Sequence, residues 1–260
     1  MQIIQSENFK SFTDRSSVCN PYTAGLDLVM IENTVKAVNC ISEPLHSTLM
    51  IDSDNYIIDF FSKYILNPLV LHTSNTFREA KHKVENYIID HIVMEVFTLE
   101  DSSLEALNFI YYIHINHPGI RLTIFTFTRN RYLIQVLRSF HHINIVSKYE
   151  AMSELNHAMN VCWNDEAFYS QYINDLMYEI ELPASLESIE WIVLTELAKN
   201  TPKHDIAKII NKKYHTLFYY IKIMNKKLHI STKHEQIKML RAINSNPLKN
   251  GGAFYRDQFV

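Results

Sequence analysis

Hydrophobic positions between residues 47 and 161 follow two alternating periods. Short continuous apolar runs, such as TLMI and RLTIFTF, are separated by stretches whose apolar residues recur three or four positions apart. Continuous runs of four to eight residues are typical of buried strands, and the three-to-four spacing is typical of amphipathic helices. The predicted strands are 48–51, 69–73, 91–99, 121–127 and 144–148, and the predicted helices are 55–66, 76–87, 102–118, 130–140 and 151–161.

Strands that alternate with helices of about three turns predict a parallel sheet with helices on both faces. We therefore expect an α/β domain over 47–161, with a doubly wound five-stranded parallel sheet. In such sheets the functional edge lies at the carboxyl ends of the strands.

Four shorter amphipathic patterns follow from residue 186 to residue 246 and predict a second, all-helical domain. Between the first two patterns, Thr201 is expected to cap the second helix and Pro202 to be its first residue. The predicted apolar faces are Ile189, Ile192, Val193, Leu194 and Leu197 in the first helix, Ile206, Ala207, Ile209 and Ile210 in the second, Leu217, Ile221, Met224 and Leu228 in the third, and Ile237, Leu240 and Ile243 in the fourth.

The remaining segments are assigned by composition. Residues 1–46 mix turn residues with short apolar runs, and we interpret them as an N-terminal extension of unknown role, either packed on the next domain or a partner-binding arm. Residues 162–185 are polar, acidic and aromatic and are predicted to be a linker. Residues 247–260 form a tail.

Positive charge is concentrated in the helical domain. Ten Lys and one Arg stand between Lys199 and Arg241 against only two carboxylates, a net charge of +9, whereas the other residues carry 14 basic and 26 acidic side chains. A small basic helical unit is typical of a module that meets phosphate. The alternative is an all-α regulatory or dimerisation module whose lysines only face solvent.

Sequence motifs favour no enzyme, metal or cofactor. The chain has four Gly and contains no GxxxxGK[ST], GxGxxG, HExxH or GxSxG, and its three Cys form no CxxC. The N-terminus has no signal-peptide pattern, and no apolar run approaches the roughly 20 residues that cross a membrane. We expect a soluble, cytoplasmic protein.

The segment 186–243 resembles, without a gap, the helix-turn-helix domain of LuxR/NarL-type bacterial transcription regulators. The matching positions are Glu190, Leu194, Leu197, Ala198, Asp205, Ile206, Ala207, Thr216, Leu217, Lys227 and Leu228. The resemblance implies that double-stranded DNA is the partner and that the third helix enters the major groove. The candidate DNA-binding residues are Lys203, Lys212, Lys213, His215, Thr216, Phe218, Tyr219, Lys222 and Lys226.

This segment departs from the family pattern at three places. Asn200 replaces a Gly, and Asn is among the residues that adopt positive φ. Lys213 replaces a Ser. The aromatic run 218–220 replaces polar residues, and such rings can touch thymine methyl groups or sugars. The alternative for Phe218 and Tyr219 is packing against a partner subunit or the α/β domain, and for Lys222 and Lys226 it is plain solvation.

The α/β segment resembles the receiver domain of response regulators over 47–161. Three residues match functional positions of that family: Lys148 its lysine after the fifth strand, Thr126 its Thr/Ser in the fourth strand, and Glu95 its phospho-acceptor position. Ser53 and Asp54 match its pair of adjacent carboxylates. An alternative register uses Asp52. Because Glu95 stands where an Asp is usual, its carboxylate lies further out by one methylene, about 1.5 Å. One acid of the metal-binding pair is also missing.

The resemblance therefore implies a degenerate receiver that is not phosphorylated at Glu95, in which Glu95 and Lys148 form a standing ion pair. The alternative is an ordinary carboxylate at the end of a strand. Such a domain is similar to those of RcsA-like auxiliary regulators. We expect a DNA-binding transcription regulator that acts as a homodimer or as a heterodimer with a related regulator, through the fourth helix or the α/β domain. The alternative is an interaction module or anti-regulator that binds a sister regulator without reading bases.

Overall fold

The computed structural model describes residues 47–64, 70–160 and 166–249. The extension 1–46 and the tail beyond residue 249 lie outside the described residues, so their expected roles stay predictions.

A five-stranded parallel sheet forms the α/β domain, as the sequence predicts. Its spatial order is β2-β1-β3-β4-β5. Ile51 pairs with both Ser74 and Met94, and Thr126 pairs with Ser147, so the carboxyl ends of the strands meet at one edge. The strands are β1 (Ser47–Ile51), β2 (Val70–Ser74), β3 (His91–Met94), β4 (Arg121–Thr126) and β5 (Ile143–Ser147).

Five helices cover the two faces of this sheet. One face packs Phe61 and Leu155 against Met50, Val93 and Val146. The helices are α1 (Asn55–Tyr64), α2 (Phe77–Asn86), α3 (Ser103–Asn116), α4 (Arg131–Arg138) and α5 (Met152–Asn160). Helices α1 and α5 cover the first face, and α2, α3 and α4 contribute to the larger core on the other. The doubly wound fold is confirmed.

Strand β3 is shorter than predicted, because it ends at Met94 and not at residue 99. Val96, Phe97 and Thr98 are buried although they belong to no strand. Thr98 Oγ1 accepts hydrogen bonds from Glu100 N and Asp101 N, which bends the chain away from the sheet. The apolar character of this stretch thus reflects a buried loop at the functional edge.

The segment predicted to be a linker packs partly against the sheet. Ile145 N donates to Phe168 O at 2.8 Å, and Ser170 N donates to Ile145 O at 3.0 Å. A short helix, α6 (Gln171–Leu176), then buries Ile173 beside β5. The polar composition of the segment conceals this packing because only a few of its side chains point inward.

The helical domain contains α7 (Ser188–Ala198), α8 (Lys203–Ile209), α9 (Tyr214–Lys227) and α10 (Lys233–Ile243). Helix α9 packs against α7 and α8. Asn200 has φ 61°, as expected for the residue that replaces Gly, and Asn211 and His229 occupy the same left-handed region in the next two turns. The prediction of four helices in the C-terminal part of the chain is confirmed.

Three details of the helical prediction are wrong. Thr201 does not cap α8, because its hydroxyl donates to Glu196 Oε2 at 2.8 Å and the cap position is Pro202. Ile209 and Ile237, which the pattern placed in the core, are 53% and 38% exposed. Helix α10 buries Met239 and Ala242 with Ile243, because this face contacts α3 and α4 of the α/β domain as well as α7.

Aromatic packing and hydrogen bonds from a side chain to the backbone join the helical domain to the α/β domain. Trp191 of α7 stacks on Tyr111 of α3 and meets Phe140 edge-on, with ring centroids 5.2 and 5.0 Å apart. Asn246, just after α10, donates to the carbonyl oxygens of Thr98 and Asp101 at 3.0 and 2.9 Å. Over the described residues, no helix is both long and apolar enough to cross a bilayer.

Candidate nucleic-acid interface and acidic pocket

Four polar side chains converge at the carboxyl edge of the sheet. Asp52 follows β1, Glu95 follows β3, Thr126 ends β4 and Lys148 follows β5. The parallel register carries all four to the same edge, and each side chain is buried. The pocket combines Glu95, Thr126 and Lys148 from the sequence prediction with Asp52, which was the alternative register.

Lys148 bridges the two carboxylates of this pocket. Its Nζ lies 2.5 Å from Asp52 Oδ2 and 3.0 Å from Glu95 Oε2. Its side chain is only 2% exposed, and the ring centroid of Phe127 lies 4.9 Å from Nζ. The ion pair between Glu95 and Lys148 is therefore shielded from water. Buried pairs of this kind are screened by salt much less than exposed ones.

The Glu95 carboxylate accepts four hydrogen bonds. Oε1 accepts from Val96 N at 2.8 Å and from the Thr126 hydroxyl. Oε2 accepts from Phe127 N at 3.0 Å and from Lys148. Two backbone N–H groups, a hydroxyl and an ammonium form the kind of donor set that binds an anion. Here the side chain of Glu95 itself is that anion.

Burial and charge act in opposite directions in this pocket. Burial raises the pKa of Glu95, with Asp52 adding to this effect and Lys148 opposing it. Burial disfavours the charged form of Lys148, but the carboxylates of Glu95 and Asp52 outweigh it and raise the pKa of Lys148. Lys148 therefore stays protonated, and the hydrogen bonds from Thr126 and Lys148 oppose the rise that burial causes in the pKa of Glu95.

Ser53 and Asp54 do not join this buried cluster. Asp54 is exposed, and its Oδ1 accepts from Tyr56 N at 2.9 Å at the start of α1. The Asp54 backbone N–H donates to Asp52 Oδ1 at 2.9 Å. Ser53 is half-buried and lines the outer pocket with Asp54. Within the described ranges, no three His, Cys, Asp or Glu residues are arranged to hold a metal ion.

The pocket opens into a cavity of about 420 Å³. Asp52, Glu95 and Lys148 form its floor, and Phe97 and Phe127 line its wall. Leu248, from the segment after α10, lines it as well. Residues that follow the helical domain thus contribute to the pocket of the α/β domain, a contact that the sequence pattern did not predict.

Most of the predicted DNA-binding side chains lie on or beside one exposed face of α9. Thr216 is half-buried at the start of this helix, and the other eight candidates are exposed. Lys203 of α8 reaches the same face, because its Nζ lies 5.2 Å from the ring centroid of Phe218. Lys212 and Lys213 belong to the turn that precedes α9. The exposed candidates on α9 are His215, Phe218, Tyr219, Lys222 and Lys226.

The amino-terminal end of α9 is suited to an anion. Its cap residue, Lys213, makes no side-chain capping hydrogen bond, and the first turn carries no acidic residue. The first N–H groups of a helix lack partners within the helix, and the helix dipole places partial positive charge there. Lys212 and Lys213 add full charges beside it. This geometry favours a phosphate group at the end of the helix.

Some lysines of the basic segment serve the structure. Lys227 Nζ lies 2.7 Å from Glu190 Oε2, and Glu190 is buried. Lys199 and Lys208 pair with carboxylates of their own helical turns at 2.6 and 3.1 Å. The charge count alone did not separate these ion-paired lysines from those on the α9 face. Glu190 was found only through its family position.

The fold defines a receiver-like α/β domain followed by a helix-turn-helix domain. Solved structures of RcsB share this architecture. RcsB from Salmonella enterica serovar Typhimurium, bound to a promoter in the presence of the phosphomimetic BeF3−, is 16% identical, with a TM-score of 0.51 over 76% of this chain and 99% of that one.

Two other structures give weaker likenesses. An RcsB–DNA complex is 16% identical, with a TM-score of 0.49 over 76% of this chain and 98% of that one. The isolated REC domain of RcsB is 13% identical, with a TM-score of 0.41 over 50% of this chain and 97% of that one. No protein-family model matches the chain, and no curated protein matches it significantly. The likeness is one of fold.

Proposed function

We propose that this protein is a DNA-binding transcription regulator that acts as a dimer and is controlled by a partner or by its own abundance, not by aspartyl phosphorylation. The observation that carries this proposal is the exposed face of α9, which carries His215, Lys222 and Lys226 and begins at a helix end without a side-chain cap. An α-helix fits the major groove of B-DNA, and lysines beside it neutralise phosphates.

The arrangement of the domains supports this role. Trp191 and the buried side of α10 hold the helical domain on the α/β domain. Helix α9 makes its main contacts with α7 and α8, and its basic face is exposed. RcsB, whose fold is similar, is bound to a promoter in its solved structure. We infer the same use of the helix-turn-helix domain here, and a cytoplasmic location.

Control without phosphorylation is supported by the acidic pocket. Glu95 already occupies the donors that an incoming phosphoryl group would need, and Lys148 is held by two carboxylates. The pocket is thus charged and satisfied with no modification, which resembles the state that phosphorylation would create. We infer a pseudo-receiver of the RcsA-like kind, with a related regulator as one candidate partner.

Dimer formation is proposed through the exposed side of α10 or through the α/β domain. Ile237 and Leu240 of α10 face a surface depression with Arg241. Symmetric half-sites on DNA match a two-fold protein dimer. Sedimentation analysis of the full chain, alone and on DNA, tests this part, and Ile237→Arg should shift the protein toward the monomer if α10 is the interface.

The decisive experiment is DNA binding at several salt concentrations. Genomic fragments retained by the full chain should bind less tightly as salt increases, and Lys222→Ala should lower the slope of log affinity against log salt by about one unit. Arg78→Ala, an equal charge change at an exposed position of α2, is the matched control. If no fragment binds even at low salt, DNA recognition by this chain is rejected.

The second candidate function is an interaction module or anti-regulator that binds a sister regulator. The exposed aromatic cluster of Tyr214, Phe218 and Tyr219 favours it, because aromatic side chains are enriched at protein interfaces. Phe218→Ala distinguishes the two functions. If the protein is an interaction module, this variant should no longer capture a related regulator. If it is a DNA-binding regulator, the variant should mainly weaken binding to DNA.

A further inference from the structure

A second cavity lies between the α/β domain and the end of α10, beside the acidic pocket, with which it shares Phe97 and Phe127. Its volume is about 290 Å³, near the lower end of the range for small-molecule sites. Phe97, Phe127 and Leu133 form its wall on one side, and Ala242 and Pro247 line it from the helical domain. Its surface is therefore largely apolar and is built by both domains.

A buried hydroxyl group lacks a partner in this cavity. Ser103 lines the cavity and is 1% exposed, yet its Oγ has no hydrogen-bond partner among the residues that the structure describes. The backbone of the same residue is satisfied, because Ser103 N donates to Ser245 O at 3.2 Å. Leaving a buried hydroxyl without a partner costs about 1–3 kcal/mol. Because this oxygen is itself buried, a ligand oxygen reaches it only after the side chain rotates toward the cavity, and the hydrogen bond formed there would remove that cost.

Positive charge lines the same cavity. Arg129 contributes to its surface and is oriented by Tyr149, whose ring centroid lies 4.1 Å from the guanidinium carbon. Ser103 begins α3 and Asn130 caps α4, so the amino-terminal ends of two helices lie at this place, with first turns capped by Asn130 and by a Ser102–Glu105 box. No carboxylate is among the described residues that line it. The cavity thus combines an apolar wall with an environment that favours an anion.

We propose that this cavity binds a small apolar carboxylate, with its ring or branched chain between Phe97, Leu133 and Pro247 and its carboxylate near Ser103 Oγ and Arg129. Because Ala242 belongs to the helical domain and Pro247 directly follows it, while Leu133 belongs to the α/β domain, the ligand would stabilise the docking of the two domains. Glu95 and Lys148 do not line this site, and the proposal does not depend on DNA binding.

Calorimetric titration of the full chain with phenylacetate and indole-3-acetate tests this site. A probe of this size should bind with a dissociation constant of about 1 mM. Phenylacetamide and indole-3-acetamide, which keep the shape and lose the charge, should bind at least about tenfold more weakly, since hydrogen bonds to charged groups are worth about 1.5–3 kcal/mol. No binding by either carboxylate, or equal binding by the amides, overturns the proposal.

Variants locate the site. Leu133→Trp and Ser245→Phe should each abolish binding, because the larger side chain fills the cavity. Ser245 lies on a loop, so Ser245→Phe provides the test if Leu133→Trp does not fold. Ser103→Ala should weaken phenylacetate by about 2- to 12-fold, the equivalent of one net hydrogen bond. Arg129→Gln should weaken it by about tenfold or more.

Arg131→Gln, in the same stretch but outside this cavity, is the matched control and should leave binding unchanged. If phenylacetate binds the folded cavity-filling variants as tightly as the parent, it binds elsewhere and the assignment is wrong.

Discussion

Trp191 of α7 stacks on Tyr111 of α3 with an interplanar angle of 17°, and this pair joins the helical domain to the α/β domain. The same indole meets Phe140 at 66°. Trp191 of the helical domain therefore packs into the core of the α/β domain. Most of the buried apolar residues of the two domains form a single continuous cluster. Exposure of the α9 face is a consequence of this docking, since α7 and α10 supply the contacts with the α/β domain.

Removing the ring of Tyr111 should loosen the docked domain without unfolding it. Tyr111 is half-buried at the interface, so Tyr111→Ala removes its contact with Trp191 while most of the core of the α/β domain remains. We expect faster proteolysis between residues 178 and 187 and a larger radius of gyration in small-angle scattering.

Tyr178→Ala, which alters an exposed ring in that segment, is the control and should leave the radius unchanged. An unaltered radius in Tyr111→Ala would mean that other contacts suffice to hold the two domains together.

Lys148→Met should strongly destabilise the α/β domain. It leaves Asp52 and Glu95 buried without their shared cation, and breaking such a buried pair costs about 3–5 kcal/mol. Adding Glu95→Gln should restore part of the loss, because one of the two uncompensated charges is removed. Urea denaturation of the parent, both single variants and the double variant measures the coupling. Additive single effects would show that the ion pair contributes nothing.

The acidic pocket should not accept a phosphoryl group. After incubation with acetyl phosphate and Mg²⁺, the intact mass of the protein should be unchanged, because Glu95 already occupies the donors of the pocket and Ser53 supplies no carboxylate. A receiver domain that is phosphorylated by this donor is treated in parallel as the control. A mass gain that disappears in Glu95→Gln would reject the pseudo-receiver.

Stability should fall as the pH decreases from about 6.5, because of His91. This residue is buried beside Thr123, with Nε2 2.9 Å from Oγ1, and burial together with the charge of Arg121 lowers its pKa to about 3. The unfolded chain takes up a proton near pH 6.5, but the folded one does not until about pH 3. Folding is therefore penalised between these values, by up to about 1.4 kcal/mol per pH unit.

His91→Gln should flatten this dependence while retaining a partner for Thr123. Equilibrium unfolding at pH 7 and pH 5 measures the difference, and His234→Gln, at an exposed site on α10, is the control. Equal pH dependence in the parent and in His91→Gln would assign the acid sensitivity to other groups.

Much of the fold could be predicted because the two hydrophobic periods are unambiguous where helices and strands alternate. The acidic pocket was less certain, because the choice between Asp52 and Asp54 depends on the residue at which β1 leaves the sheet. Ile51 is the last residue paired with both neighbours, so Asp52 stays buried and Asp54 reaches the surface. Local pattern does not determine which of these two positions, two residues apart, is buried.

Other features could not be predicted because they depend on contacts between distant segments. Helix α10 buries Met239 and Ala242 since it packs on α3 and α4, and its own periodicity pointed to Ile237. The hydrogen bonds from Asn246 to the loop after β3 join residues about 150 positions apart. Such contacts leave no periodic signal, and neither does the second cavity that they help to enclose.

Two adjacent lysines of α9 should behave in opposite ways. Lys227 pairs with buried Glu190, whereas Lys226 is exposed on the face proposed to meet DNA. Lys227→Met should destabilise the helical domain, by about 3 kcal/mol or more if the pair is fully desolvated, since Glu190 then keeps a buried charge without its partner. Lys227 is 22% exposed, so water already screens part of the attraction in the intact pair, and the measured loss should be below that figure.

Lys226→Met should leave the melting temperature within error and weaken DNA binding. Chemical denaturation and salt-dependent DNA titrations of both variants separate the two roles. Glu190→Gln in the Lys227→Met background should recover stability, because no charge is then left buried. If Lys226→Met unfolds the domain, or Lys227→Met leaves it as stable as the parent, the division of the basic residues into ion-paired and DNA-facing lysines is wrong.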